Sequence, residues 1–410
     1  MTARRPEPSR DLSSRGPGGA EGSADAGGRS QPVAIETPVP RSPSPRLGAG
    51  ARDDQGKLPT AVNPADLSCP MPLPHDEHIV LGHGSGGLLT HRLIRSLFLQ
   101  AFDNPALRRG DDAAVVSLEA GGRLAVTTDA HIVSPLFFPG GDIGRLAICG
   151  TVNDLAVMGA RPRWLTASFV LEEGLAMEDL RRIVESMRRA AEEAGVQVVA
   201  GDTKVAERGK ADGLFIQTTG VGTIPDGRDV GGALARPGDA VIVSGPLGDH
   251  GLAVLAARGN LGFAIDVESD VAPLNGLVED LFAAGAAVHV LRDPTRGGLA
   301  TTLNEIAAQS AMMVTLDEAS IPVRPSVASA CELLGFDPLY IANEGRLIAI
   351  VDPATAEAAL AALRRHPLGR EAARIGSIEA GPAGRVRLRT RLGTLRVVEM
   401  LSGEMLPRIC

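Results

Sequence analysis

The chain ends in LSGEMLPRIC, so its last residue, Cys410, sets a thiol beside the terminal carboxylate. By itself a terminal cysteine reads as chance at a frayed end, and the rest of the sequence has to argue for a role. From Ser402 to Cys410 an extended chain reaches up to about 27 Å. Gly403 frees the backbone and Pro407 stiffens the tip. In the free tail the neighbouring carboxylate should raise the thiol pKa and Arg408 should lower it, so little net activation is expected. Reactivity is expected from the site that receives the tail.

A second set of residues points to a metal–nucleotide site. Asp111 and Asp112 (GDDAAVV), Asp129 (VTTDAH), Asn153 and Asp154 (GTVNDLAVMGA) and Asp202 (VVAGDTK) all border apolar segments. A lone carboxylate in such a place could simply cap a helix or turn. Several buried together would repel unless a cation joined them, and Mg²⁺ is the hard ion that brings phosphate oxygens with it. Lys204, two residues after Asp202, could meet a phosphate or carboxylate, or could be a solvated surface lysine. GHGSGG (82–87) satisfies G-x-G-x-x-G, but DNPALRRGDD follows where a dinucleotide site needs a second strand ending in an acid. No phosphate-loop G-x-x-x-x-G-K-[ST] exists either. The loop can still offer backbone N–H groups to an anion, or serve only as a tight turn into a helix.

The elements that must position these groups are legible as alternating strands and helices. HIVL, AAVVSL, LAVTTD, WLTASFVL, VQVVAGD and LFIQTTGVGTI are expected strands. A helix should follow the glycine loop with Leu89, Leu93, Ile94, Leu97 and Phe98 on its inner face. DIGRLAICGTVNDLAVMGA reads as a helix. MEDLRRIVESMRRAAEEAG reads as another, with Leu180, Ile183, Val184 and Met187 inward and Gly195 as its stop. After RPGDAVIVSG, helices are expected at 249–258, 276–285, 297–309 and 353–365. Strands are expected near AVHVL, MVTL and RLIAIV and in the hairpin RVRLRTRLGTLRVV. Pro225, Gly227, Gly231, Gly232, Pro237 and Gly238 cluster as a domain boundary.

Composition bounds the rest. The 410 residues allow two domains, and 44% apolar with 22% charged residues reads as globular. A net charge of −8 leaves no basic face for nucleic acid. Cys69, Cys149, Cys331 and Cys410 form no CxxC pair, which argues against a disulfide framework or zinc site and for a reducing, cytoplasmic compartment. Cys149 and Cys331 read as core residues. No run of about 18 apolar residues would span a bilayer, and Arg4–Arg5 lacks the apolar stretch of an export signal. Residues 1–75, rich in Pro, Gly, Ser, Ala and Arg, read as a disordered extension.

HGSGG, DDAAV, TTDAH, PLFFPGGDIG, GTVNDLAVMGA, GDTKV, DPTRGGLATTLNE, DPLYIANEG and the closing LPRIC together resemble the hydrogenase maturation HypE family. That family lies within the aminoimidazole ribonucleotide synthetase-like (PurM-like) group of ATP-binding enzymes. The resemblance runs from about residue 78 to 410. It implies an α/β (α+β) two-domain PurM/AIR-synthetase-like fold. Residues 76–230 would be an N-terminal ATP/Mg-binding and dimerisation domain and 231–400 an α–β domain. Residues 401–410 would be a mobile tail. It implies ATP at Gly84, Ser85, Gly86, Asp111, Asp112, Asp129, Asn153, Asp154 and Asp202, with Mg²⁺ on the aspartates. Cys410, Glu344 and Lys204 would be catalytic: the thiol carries a carboxamide group, Glu344 is the base, and Lys204 is its charge partner or a phosphate ligand. Glu305 is a weaker candidate for the base, expected on a helix surface. The implied activity is ATP-dependent dehydration of S-carbamoyl-Cys410 to a thiocyanate. Its partners would be the carbamoyltransferase HypF as donor, a HypC–HypD scaffold as cyanide acceptor for [NiFe] hydrogenase iron, and a second copy of the chain. The alternatives are a small-molecule kinase or synthetase of the same group, and a non-catalytic nucleotide-binding scaffold that presents the tail. Two departures from the pattern stand out: GEM before LPRIC, and alanine after the aspartate in TTDAHIV.

Overall fold

The structure is a computed structural model that describes residues 78–410, apart from 120, 260, 262–264, 404, 405 and 407. Expectations for residues 1–75, including Cys69, lie outside the described residues, as does that for Pro407.

The first half opens with short helices α1 (Leu88–Leu93), α2 (Leu99–Phe102) and α3 (Pro105–Arg108). Strands β1 (Ala114–Ser117) and β2 (Arg123–His131) follow, then a small hairpin, β3 (Phe137–Phe138) with β4 (Gly141–Asp142). Next come α4 (Ile143–Val157), β5 (Arg161–Glu172), α5 (Met177–Ala194), β6 (Gln197–Ala206) and β7 (Leu214–Ile224). The sheet order is β1-β2-β7-β5-β6. Only β5 and β6 pair in parallel, and α5 supplies the crossover a parallel pair requires.

α4 is buried almost all round, its polar Thr151 and Asn153 included. Asp142 caps it, accepting hydrogen bonds from the Gly144 and Arg145 amides. Gly150 is required here: a Cβ would stand 3.0 Å from His131 Nε2 and 3.4 Å from Asp129 Oδ2.

The second half contains β8 (Ala240–Val243), α6 (Asp249–Ala257), α7 (Asn275–Ala283), β9 (Val288–Arg292), α8 (Gly298–Ser310) and β10 (Met313–Asp317). It continues with α9 (Pro325–Leu334), β11 (Ile348–Val351), α10 (Ala356–Arg365), β12 (Ala373–Glu379), β13 (Arg385–Arg389) and β14 (Leu395–Val398). Its sheet runs β14-β13-β10-β12-β8-β11-β9. Alternation along β8 places Val241 and Val243 against α8 and Ala240 and Ile242 against α7 and α10. Both faces are therefore covered, which is why AVIV and IAIV read as unbroken apolar runs. A further cluster joins α4 and α5 to α6 and α9, and it includes Leu406 and Ile409 from the tail.

Several expectations are corrected. HIVL is not a strand; Leu81–Gly84 forms a 3₁₀ turn instead. The helix after the glycine loop is interrupted by a π-helical segment, Ile94–Phe98. Of its expected inner face only Leu89 is buried, while Ile94, Leu97 and Phe98 are exposed. Val184 of α5 is likewise exposed. α9 and β12 were not anticipated; Pro325 starts α9 at a helix N1 position, where its missing N–H is harmless. Among the described residues no helix is long and apolar enough to cross a membrane.

Candidate active site

The tail lies in a groove of the described structure instead of projecting from it. The Ile132 amide donates to the terminal carboxylate of Cys410 and the Ser134 amide to the Arg408 carbonyl, each at 3.1 Å, in the manner of a short added strand. Arg258 Nη2 donates to the Arg408 carbonyl at 2.9 Å, and the Arg408 side chain pairs with Asp212. Docking gives the thiol different neighbours from those of the free tail. Arg408 is directed at Asp212, and the cation facing the Cys410 sulfur is Arg296. Burial, opposed by Arg296 but reinforced by Glu344 and Asp129, raises the pKa of the docked thiol.

Glu344 is buried, and it is among the groups that raise the Cys410 thiol pKa. Its amide donates to Asp270 Oδ1 at 3.0 Å, and Asn153 Nδ2 donates to its carbonyl at 3.2 Å. Burial, then Asp293, Asp129 and Asp270, raise its carboxyl pKa well above the usual range, and Oε1 has no hydrogen-bond partner. Arg296, in DPTRGG, donates from Nη1 to the Gly84 carbonyl at 2.9 Å and so ties the glycine loop to the thiol. A pocket of about 400 Å³ opens beside Cys410, lined by Gly84, Ser85, Arg296, Gly297, Tyr340 and Asp212 among others. The loop is less open to an anion than expected. The amides of His83, Ser85, Gly86 and Leu88 all have internal acceptors, and the Ser85 hydroxyl donates to Gly82.

Asp112, Asp129 and Asp154 are brought together, joined by Asp293, which sequence reasoning missed. Burial raises Asp112 to about 6 against the pull of Arg292. Burial and then Asp112 raise Asp293 to about 8. Asp154 is raised well above the usual range by burial and by Asp293, Asp129 and Asp112. Asp129 goes the other way, to about 2, because His131, 3.2 Å away, and Arg296 outweigh its burial. The Thr127 hydroxyl lies 2.9 Å from the Asp112 carbonyl and 2.8 Å from Asp154 Oδ2. With one proton it can donate to only one of them, so a protonated Asp154 that donates to Thr127 satisfies both. Asp112 Oδ2 has no partner.

Among the described residues no three acids or histidines close into a finished metal cage. Mg²⁺ does not demand one, because it is commonly held by one or two carboxylates plus substrate phosphates. An all-oxygen set with an orphaned buried acceptor fits that partial shell.

Other candidates go elsewhere. Asp111 accepts hydrogen bonds from the Gly232 amide and from Arg109, a strut between segments. The Asn153 carboxamide is fully engaged with the backbone of Ala272, Leu274 and Glu344, so it positions Glu344 and is not free for nucleotide. Asp202 and Lys204 pair with each other on the exposed edge strand β6. They face β5 at Ser168 and Val170, whereas Asp129 lies on β2 beyond β7. The reason is sheet order, which no local motif reveals. Glu305 is half-buried, not on the surface, and pairs with His91 at 2.9 Å and with Arg292 at 3.1 Å. Cys149 and Cys331 are buried, with thiols pushed up by desolvation to about 12 and about 11.

Two sheets packed with helices, with a carboxylate cluster between them, define a two-domain AIR synthase related protein. The family models for its N-terminal and C-terminal domains match residues 110–224 and 236–389. A carbamoyl dehydratase HypE from Cupriavidus necator is 58% identical over 332 residues, 81% of this chain and 95% of that one. The HypE of Escherichia coli is 47% identical over 337 residues. A solved HypE in complex with ATP is 54% identical with a TM-score of 0.68, covering 81% of this chain and all of that one. A HypE–HypF complex gives 49% identity and a TM-score of 0.72, covering 75% of this chain and 99% of that one. Thiamine monophosphate kinase from Aquifex aeolicus, at 20% identity and a TM-score of 0.54, shares the fold alone. The chain belongs to the carbamoyl dehydratase HypE family.

Proposed function

We propose that the chain dehydrates an S-carbamoyl group on its own Cys410 to an S-cyanate, with ATP, as the cyanide-forming step of hydrogenase maturation. The observation that carries this reading is the Cys410 sulfur seated against Glu344 and Arg296 at a pocket rimmed by the glycine loop. An amide oxygen leaves poorly; ATP, with Mg²⁺ across its phosphates, supplies the phosphoryl group that lets it depart as phosphate. Both protons on the carbamoyl nitrogen must also leave. Glu344, a carboxylate of raised proton affinity, is the base that takes one, and the departing phosphate can carry the other. Arg296 offsets negative charge developing next to the thioether. Asp112, Asp129 and Asp154 would hold the cation. A pocket walled by Tyr340, Leu401 and Leu406 limits water around the reacting group.

A second copy of the chain would supply what one protomer lacks. Every residue of β6 from Gln197 to Val205 is exposed, with Val198, Val199 and Val205 outward. An edge strand this long and apolar is unfavourable in water until paired or covered. A homodimer formed on this sheet would cover it and is the route by which Lys204 and Asp202 could approach a nucleotide. The relative seen bound to HypF supports HypF as the carbamoyl donor here. HypC–HypD as acceptor and a cytoplasmic location complete the reading.

The deciding experiment incubates S-carbamoylated full-length protein with Mg-ATP and weighs the intact chain. Loss of one water mass from the tail peptide is expected, and an unchanged mass would return the protein to a scaffold role. A Cys410→Ser chain that still turned over ATP with a small acceptor would favour a kinase.

A further inference from the structure

We infer that His250 is a positioning residue that latches the carrier tail and sets the Cys410 sulfur in register with Glu344; this rests on the reading of Cys410 as carrier. His250 opens α6 and is fully buried, with Phe138 edge-on to its ring at 5.5 Å and 87°. Its Nε2 lies 2.7 Å from the Ile409 carbonyl, which can only accept, so Nε2 carries a hydrogen and donates it. Its Nδ1 lies 2.8 Å from Ser269 Oγ, and that oxygen already accepts from the Val271 amide at 3.1 Å. The hydroxyl proton of Ser269 therefore points to Nδ1. The result is one directional chain, from the Val271 amide through Ser269 and neutral His250 to the peptide just before Cys410. Burial lowers the His250 pKa, in keeping with a neutral ring.

The stretch 269–271 holds the other half of the reacting pair as well. Asp270 Oδ1 accepts from the Glu344 amide at 3.0 Å. Three consecutive residues thus fix the carrier backbone on one side and the base on the other. The close approach of Gly140, whose Cβ would stand 2.7 Å from the Ser269 backbone, locks that stretch under the β3–β4 hairpin. Since Ile409 and Leu406 sit in the apolar cluster beside α6, departure of the tail strips both the contacts and the acceptor of His250 together. With the tail gone, Nε2 loses its acceptor while Nδ1 keeps Ser269.

The test uses the full-length chain and two readouts. One is the rate of iodoacetamide alkylation at Cys410, which reads the undocked tail, with buried Cys149 and Cys331 as fold controls. The other is single-turnover dehydration of the S-carbamoylated chain. In His250→Ala, alkylation should rise about tenfold, the worth of one lost hydrogen bond, and dehydration should slow. His250→Gln, which keeps an N–H donor, should recover most of both. Wild-type alkylation in His250→Ala, with Cys149 and Cys331 still protected, overturns the latch. Should those two cysteines become reactive, Ser269→Ala decides, with an increase in Cys410 alkylation supporting the latch and no change overturning it. If the wild-type S-carbamoyl chain loses no water, the proposed function fails, while the alkylation comparison still reads the latch.

Discussion

At the scale of single residues, chemically identical side chains take opposite roles because their neighbours differ. Asp112 and Asp111 are adjacent, yet one keeps an orphaned oxygen in the carboxylate cluster and the other braces Gly232. Glu344→Gln should slow dehydration about 10²- to 10⁴-fold while leaving nucleotide binding in place, as read by single-turnover mass and calorimetry. A base must be unprotonated, and burial has raised Glu344. Turnover should therefore climb as pH rises through that raised value, and the variant should lose this limb. Asp293 gives a stability prediction. Its folded pKa is raised from 3.8 to about 8, so the folded state prefers the protonated form and loses stability as pH rises across that window. Asp293→Asn should raise the melting temperature of the nucleotide-free protein above neutral pH and leave it unchanged in acid below the ordinary aspartate range.

At the scale of elements, long apolar patterns were legible and their partners were not. The α4 segment read as a helix with polar residues in its middle, and the structure buries Thr151 and Asn153 there along with its apolar residues. The segment after the glycine loop also had helical spacing, but spacing names a face and not what covers it. Ile94, Leu97 and Phe98 stay exposed across a π-helical break. Val184 of α5 follows the same logic, lying beside the groove that Val198 and Val199 line. Gly150→Ala tests how tightly α4 backs the site. A methyl 3.0 Å from His131 Nε2 must push the His131–Asp129 pair. Overpacking of this kind should cost about 1–3 kcal/mol in denaturant unfolding and weaken Mg-ATP binding.

For the whole molecule, one protomer gathers Cys410, Glu344, Arg296 and the carboxylates but leaves Lys204 and Asp202 on an open sheet edge. Val199, 57% exposed on that edge, gives the test. Val199→Asp should convert a dimer to a monomer in light scattering and lower dehydration without unfolding the chain. A protein already monomeric at working concentration would remove the second copy from the mechanism.

The sequence alone determined the chemical inventory: a terminal thiol, carboxylates at the borders of apolar segments, a glycine loop and most of the helices and strands around them. Those follow from residue type and short-range periodicity, which are properties of a few consecutive positions. Only the tertiary structure decided which acids meet, that Arg296 and not Arg408 faces the sulfur, and that His250 and Ser269 grip the tail. Those depend on strand order and on backbone segments more than a hundred residues apart, where burial and neighbouring charge, not identity, set what a side chain can do.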